Sequence, residues 1–235
     1  MFAIFKRELK SYFYSPIAYA LIGLFILLSS VFFLLINLSQ QYADFTGNLS
    51  TMGFLLLFIV PILTMKILAE DRKNGTEVLL VTSPASIANI VVGKFLATFS
   101  VFMVMTGITF IYPIMLAIYG KPPFAQLVGA YIGFILLGAA FISVGVFASA
   151  LTENQVVAAI VGFVSLIIMW LMDSIASYVG GVPAKVLSWL SLLSRYNDFT
   201  TGILNISPII YYLSFTAVFI FLTIQVIERR RWSQG

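Results

Sequence analysis

Six long stretches of this chain are almost free of charge, and they constrain the fold more than anything else in it. They run roughly from Ile17 to Asn37, Thr51 to Leu68, Ile90 to Tyr119, Gln126 to Leu151, Gln155 to Tyr178 and Pro208 to Ile227. A helix needs about 20 apolar residues to cross the hydrocarbon core of a bilayer, and each stretch is long enough. Lipid offers no partner to a free N–H or C=O, so only helices or a closed barrel can span it, and none of the six alternates as a barrel strand does. Charged residues make up 9% of the chain, where about a quarter is usual in a soluble protein. The predicted fold is an all-α membrane protein with six transmembrane helices in a single domain, residues 1–235. The first stretch is too long for a signal-peptide core, and no small-residue cleavage site follows it.

The chain has no Cys and no His. That excludes a disulfide framework, a thiol nucleophile, an imidazole base, a His-ligated metal and a Ser-His-Asp triad. The net charge is +4, but the basic residues sit between apolar stretches and read as topology signals, so no nucleic-acid partner is expected. Lys6, Arg7 and Lys10 lie at the N-terminus, Lys66, Arg72, Lys73 and Lys94 between spans two and three, and Arg229, Arg230 and Arg231 at the C-terminus. Only Lys121, Lys185 and Arg195 fall on the other side. The positive-inside rule then places both termini in the cytoplasm.

Two segments are amphipathic without spanning. In residues 1–15, Phe2, Phe5, Leu9, Tyr12 and Phe13 share one helical face, and Lys6, Arg7, Glu8, Lys10 and Ser11 lie opposite. Such a helix lies in the interface with its basic side toward anionic headgroups; it serves as an anchor, or also braces a cytoplasmic partner. Ser15-Pro16 then turns the chain into the membrane. Residues 182–206 are too polar to span and too apolar for a plain loop. Short outer amphipathic or re-entrant helices fit them, as a structural plug or as a gate.

The second span is predicted to run on through Lys66, Glu70, Asp71, Arg72 and Lys73 as one helix of about 34 Å from Thr51. Asn74-Gly75 reads as its stop, with Gly75 in the left-handed conformation. Thr76 is placed to cap a short helix over Glu77 to Val81, and Ser83-Pro84 to cap the helix that leads into the third span. This is either a charged, well-capped loop or a short cytoplasmic helix on two stiff stems, a shape suited to passing a partner's motion into the membrane.

The run from Ala69 to Pro84, AEDRKNGTEVLLVTSP, resembles the E-x-x-x-x-G-T-x-E-x-L-L-x-x-x-P signature of ABC-2 type permeases, the membrane subunits of type V ABC transporters. Ala148-Ser149-Ala150-Leu151-Thr152-Glu153-Asn154-Gln155 resembles that family's A-S-x-L-T-x-N-Q run. Within the family the chain looks most like the permease of the gliding-motility-associated ABC transporter. The resemblance implies a bacterial inner-membrane permease that pairs with a second copy or paralogue above two ATPase subunits, with an accessory periplasmic subunit compatible. It implies that residues 69–84 dock on the ATPase through a coupling element of Glu70, Arg72, Lys73, Gly75, Thr76, Glu77, Leu79, Leu80, Ser83 and Pro84. It also implies that the N-terminal helix, with Phe2, Phe5, Lys6, Arg7, Leu9 and Lys10, touches the ATPase. ATP and Mg would be held by the partner, and no cofactor or metal by this chain. In keeping with this, no G-x-x-x-x-G-K-[ST] loop occurs; Gly93-Lys94 lacks both flanking features.

Within the spans, Asp173 is the ionisable residue expected deepest, as a pathway or dimer-interface group or as one hydrated near the outer end. Pro61 and Pro113 interrupt spans two and three and can kink them. Gly129, Gly133, Gly138, Gly145 and Ser149 form a small face on span four, suited to packing within the chain or to dimerisation. A secondary transporter or channel is the competing class, but ion coupling usually leaves several intramembrane carboxylates. An intramembrane enzyme would have to work without His or Cys.

Overall fold

A computed structural model describes residues 1–76, 86–179, 181, 191–200 and 205–233. Helix α1 (Phe2–Tyr14) ends at Ser15, whose backbone is extended and whose Oγ accepts from Ile17 N at 3.4 Å. Pro16 opens α2 (Pro16–Phe32), where its missing N–H costs nothing. A π-helical turn, Phe33–Leu38, extends α2. There follow α3 (Thr46–Thr64), α4 (Ala69–Lys73), α5 (Ile87–Thr109), α6 (Ile111–Tyr119), α7 (Phe124–Leu151), α8 (Gln155–Val179), α9 (Leu192–Thr200) and α10 (Ile206–Ser233). No strand occurs among the described residues. Among the described residues, six helical segments are long and apolar enough to cross a membrane: Pro16–Leu38, Thr46–Lys73, Ile87–Tyr119, Phe124–Leu151, Gln155–Tyr178 and Ile206–Arg230. The all-α, six-span architecture expected from the apolar stretches is the one found.

Helix α7 is the axis of the bundle. Its most apolar window is 72% buried, against 17% for those of α8 and α10, which leave their outer faces open. The small face of α7 explains how its neighbours come so close. A Cβ added at Gly145 would lie 2.2 Å from Thr64 Oγ1 of α3, one at Gly138 2.3 Å from the Phe102 ring of α5, and one at Gly133 2.8 Å from Phe199 of α9. Close approach of this kind builds van der Waals contact where lipid supplies no hydrophobic drive. The face is therefore occupied by packing within the chain. Helix α9 shows the same economy: Leu192, Tyr196 and Phe199 form its buried stripe, and Tyr212 Oη donates to Leu192 O at 2.5 Å.

The elements gather at two ends. Helix α1 lies against the start of α5, where Gly93 admits Ile4. Asp71 of α4 meets Lys94 of α5, and Arg72 meets Glu153 in the connection between α7 and α8. The Arg230 guanidinium of α10 donates to Ala150 O. These contacts define the basic end. The connection 39–45, residues 120–123 and α9 lie at the opposite end.

Three expectations are corrected. The second span is not one rod: its helix stops at Thr64, turns through Met65–Leu68 and resumes as α4. The helix leading into the third span starts at Ile87 and is capped by Ser86, whose Oγ accepts from Asn89 N at 3.3 Å; Ser83 and Pro84 lie outside the described residues. Glu8 does not share the outward face of α1. It sits one turn from buried Tyr12, on the side that meets Lys94. The third span does break, at Phe110, close to Pro113, which cannot bond back to Thr109 O.

Candidate functional site

The basic end holds a small polar cluster in an otherwise apolar bundle. Lys94 lies in the second turn of α5 and is 2% exposed. A lysine so placed must be paired. Its Nζ is 2.6 Å from Asp71 Oδ2, 3.1 Å from Glu8 Oε1 and 2.7 Å from Ile67 O. One ammonium thus ties α5 to α4, to α1 and to the turn before α4. Arg7 extends the chain of charge, 2.6 Å from Glu8 and largely exposed. The hydrogen bond to Glu8 raises the pKa of Arg7 above its ordinary value against the opposing effect of desolvation.

Tyr12 completes the attachment of α1. Its Oη donates to Leu63 O at 2.9 Å and lies 3.2 Å from Thr98 Oγ1, while Lys66 Nζ stands 5.0 Å above its ring. Burial pushes the Tyr12 phenol well above the usual range. Between α1 and α4 a cleft of about 280 Å³ remains, lined by Lys66, Glu70, Asp71, Asn74 and Thr76 on one wall and by Arg7, Glu8 and Ser11 on the other.

Helix α4 is also held from the far side. Ser149, in the last turn of α7, accepts from Leu68 N and Ala69 N, each at 3.1 Å, and donates to Met65 O at 3.0 Å. Arg72 is 2.7 Å from Glu153. Lys73 lines a groove of about 400 Å³ with Glu153, Asn154, Gln155 and Val156. Asn154 itself caps α8, its Oδ1 accepting from Val156 N at 2.9 Å.

The stop at the end of α4 is as expected. Gly75 has a φ of +70°, and its N–H donates to Arg72 O at 3.1 Å. Thr76 turns its hydroxyl back to Asp71 Oδ1 at 2.9 Å; the amides it was expected to cap, and Glu77, Leu79, Leu80, Ser83 and Pro84, lie outside the described residues. Glu70 is exposed.

Helix α1 presents Phe2, Lys6, Arg7 and Lys10 outward, with Phe5 and Leu9 half-buried. Asp173 is half-buried in α8, toward the opposite end from α4. Pro61 is buried inside α3 against Gly162 of α8. The structure therefore brings α1 and residues 66–76 together and leaves Asp173 apart from them, while Pro61 lies one turn before the break, its carbonyl accepting from Met65 N at 2.9 Å.

The sequence places Ser149 on a small face and in a family-like run, and Lys94, Glu8 and Asp71 among the charges of the basic end, but it does not bring the four together as one site. A signal for Lys94 existed. It is one cation within the run Ile87–Thr109, too far inside the helix to count as a flanking charge. Of the acids at that end, Glu8 and Asp71 are the two that meet it.

No curated protein matches the chain. The family model described as ABC-2 family transporter protein matches residues 37–227, from the end of α2 to the last turns of α10. The match covers α4, α7 and the whole connection between α4 and α5, and on it the chain belongs to the ABC-2 family of transporter membrane proteins.

Proposed function

We propose that this chain is the permease subunit of an ATP-binding-cassette transporter, driven by a separate ATPase through the connection between α4 and α5. The supporting observation is the clamp on α4. This five-residue helix at the base of the connection is tied to α5, α7 and the connection after α7 by contacts of 2.6–3.1 Å, and through Lys94 to α1. A displacement of the connection reaches all of them.

On this reading residues 69–84 form the coupling element, with Glu70, Arg72, Lys73, Gly75, Thr76, Glu77, Leu79, Leu80, Ser83 and Pro84 facing or shaping the ATPase contact. ATP and Mg belong to that partner. Two ATPase subunits serve two permease chains, the second a copy of this one or a paralogue. The basic end faces the cytoplasm of a bacterial inner membrane, as its excess of Lys and Arg supports. Lys6, Arg7 and Lys10 meet anionic headgroups there. The whole of 1–235 acts as one membrane domain, alternating between conformations for export or for a mechanical cycle. The A-S-x-L-T-x-N-Q run and the signature from α4 onward support the ABC-2 permease reading; within that family the overall likeness is to the gliding-motility-associated subfamily, which brings with it an accessory periplasmic subunit.

The test is native mass spectrometry of the chain purified in mild detergent. An ATPase is expected at equal stoichiometry, and it is expected to be lost in the double variant Glu77→Arg/Leu80→Arg while the chain keeps its melting temperature. A wild-type chain without an ATPase, together with ion flux in liposomes lacking ATP, would overturn the reading in favour of a channel or secondary transporter.

A further inference from the structure

The break in the second span is a built feature. Ile67, Leu68 and Ala69 are at most 8% exposed, so the backbone groups that the turn frees cannot be left to water. Side chains from two other helices take them. Ser149 of α7 accepts from Leu68 N and Ala69 N and donates to Met65 O, using one hydroxyl three times at 3.0–3.1 Å. Lys94 of α5 donates to Ile67 O at 2.7 Å. Helix α4 has no cap of its own, since Leu68 stands at the position where Ser, Thr, Asp or Asn is usual. It is capped from another helix instead. One turn earlier on α7, Gly145 lets Thr64 approach so closely that a Cβ there would be 2.2 Å from its hydroxyl. The two small residues of α7, at i and i+4, thus flank the break on the same face.

We propose that α4, and with it the base of the connection to α5, is mechanically attached to α7 and is not an extension of α3. Ser149 is the positioning residue of that attachment. A continuous second span would carry a push along α3 toward the opposite end. The turn Met65–Leu68 interrupts that route, and Ser149 redirects it into the most buried helix of the bundle. The functional meaning rests on reading α4 as the base of a coupling element; the attachment itself rests on the hydrogen bonds.

The test uses the full chain in lipid nanodiscs, without an ATPase. Residue-resolved hydrogen exchange compares wild type with Ser149→Ala and with Ser149→Thr, which keeps the hydroxyl. In Ser149→Ala the amides of Leu68 and Ala69 are expected to exchange roughly ten-fold faster, about the worth of one buried hydrogen bond. Amides along α7 are expected to stay as they are, and Ser149→Thr to restore the wild-type rates. Because the chain has no cysteine, spin labels report the same event. The distance from Lys73→Cys to Phe124→Cys should broaden in Ser149→Ala, while the reference distance from Gly47→Cys to Leu151→Cys should not. Unchanged exchange at Leu68 and Ala69 overturns the proposal. So does an equal rise along α7, or a reference distance that broadens as well, either of which makes Ser149 merely structural. Absence of an ATPase partner would overturn the proposed function and leave this result standing.

Discussion

At the basic end, Lys94 reaches Asp71, Glu8 and Ile67 O within 3.1 Å, and Ser149 bridges a break in the chain. At the opposite end, Phe45 stacks 5.5 Å from Tyr112 and 6.4 Å from Tyr131, and Tyr131 stacks 4.2 Å from Phe110. There Asn37 Nδ2 donates to Tyr42 O at 2.7 Å and to Asp44 O at 2.9 Å, and Asn48 donates to Asn37 Oδ1. One end is held by a few directional contacts on a five-residue helix, and the other by stacked rings and neutral hydrogen bonds within continuous packing. Few contacts on a short element mean a low local opening free energy, which is where a moving part is drawn from. Broad aromatic burial makes a fixed end. We propose on this contrast that the two ends divide the labour, the basic end being the part that moves relative to a bundle that the opposite end keeps closed.

The substitution expected to cost most is at the fixed end. Phe45→Ala should remove about 4 kcal/mol of global stability, as for other buried Phe truncations, read as a lower thermal midpoint in detergent. Lys94→Met should cost about 3 kcal/mol, because Asp71 keeps a charge that loses its partner and Glu8 is left with Arg7 alone. That loss is expected locally: protease should cut at α1 while the global midpoint falls less than in Phe45→Ala. A Lys94→Met chain that unfolds as a whole, or a Phe45→Ala chain that only frays, would erase the distinction between the ends. Arg72→Ala should change least, less than about 1 kcal/mol, since its bridge to Glu153 is part-exposed, and the effect should shrink further in high salt.

Much of this was legible in the chain. The six spans follow from apolar length, because lipid leaves the backbone no alternative to a helix. Gly75 could be placed in the left-handed region because a stop after α4 needs a residue without a Cβ. The close approaches at Gly133, Gly138 and Gly145 follow from the small face on α7. The break at Met65–Leu68 was not legible. Met, Lys, Ile and Leu carry no strong helix-breaking preference, and the turn is imposed by Ser149, about 80 residues away in sequence, and by Lys94. Glu8 was misplaced for the same reason: amphipathic spacing sorts residues by polarity, and a buried counter-charge reverses that sorting. The cap before α5 was read at Ser83 when Ser86 serves, since two Ser residues three apart offer the same local signal.

The division between the ends is tested most directly by hydrogen exchange on the chain assembled with the ATPase proposed for it, with and without ATP trapped on that partner. The account predicts that nucleotide changes exchange across residues 65–73 and leaves 42–49 unaltered. A change at 42–49 with none at 65–73 would contradict it.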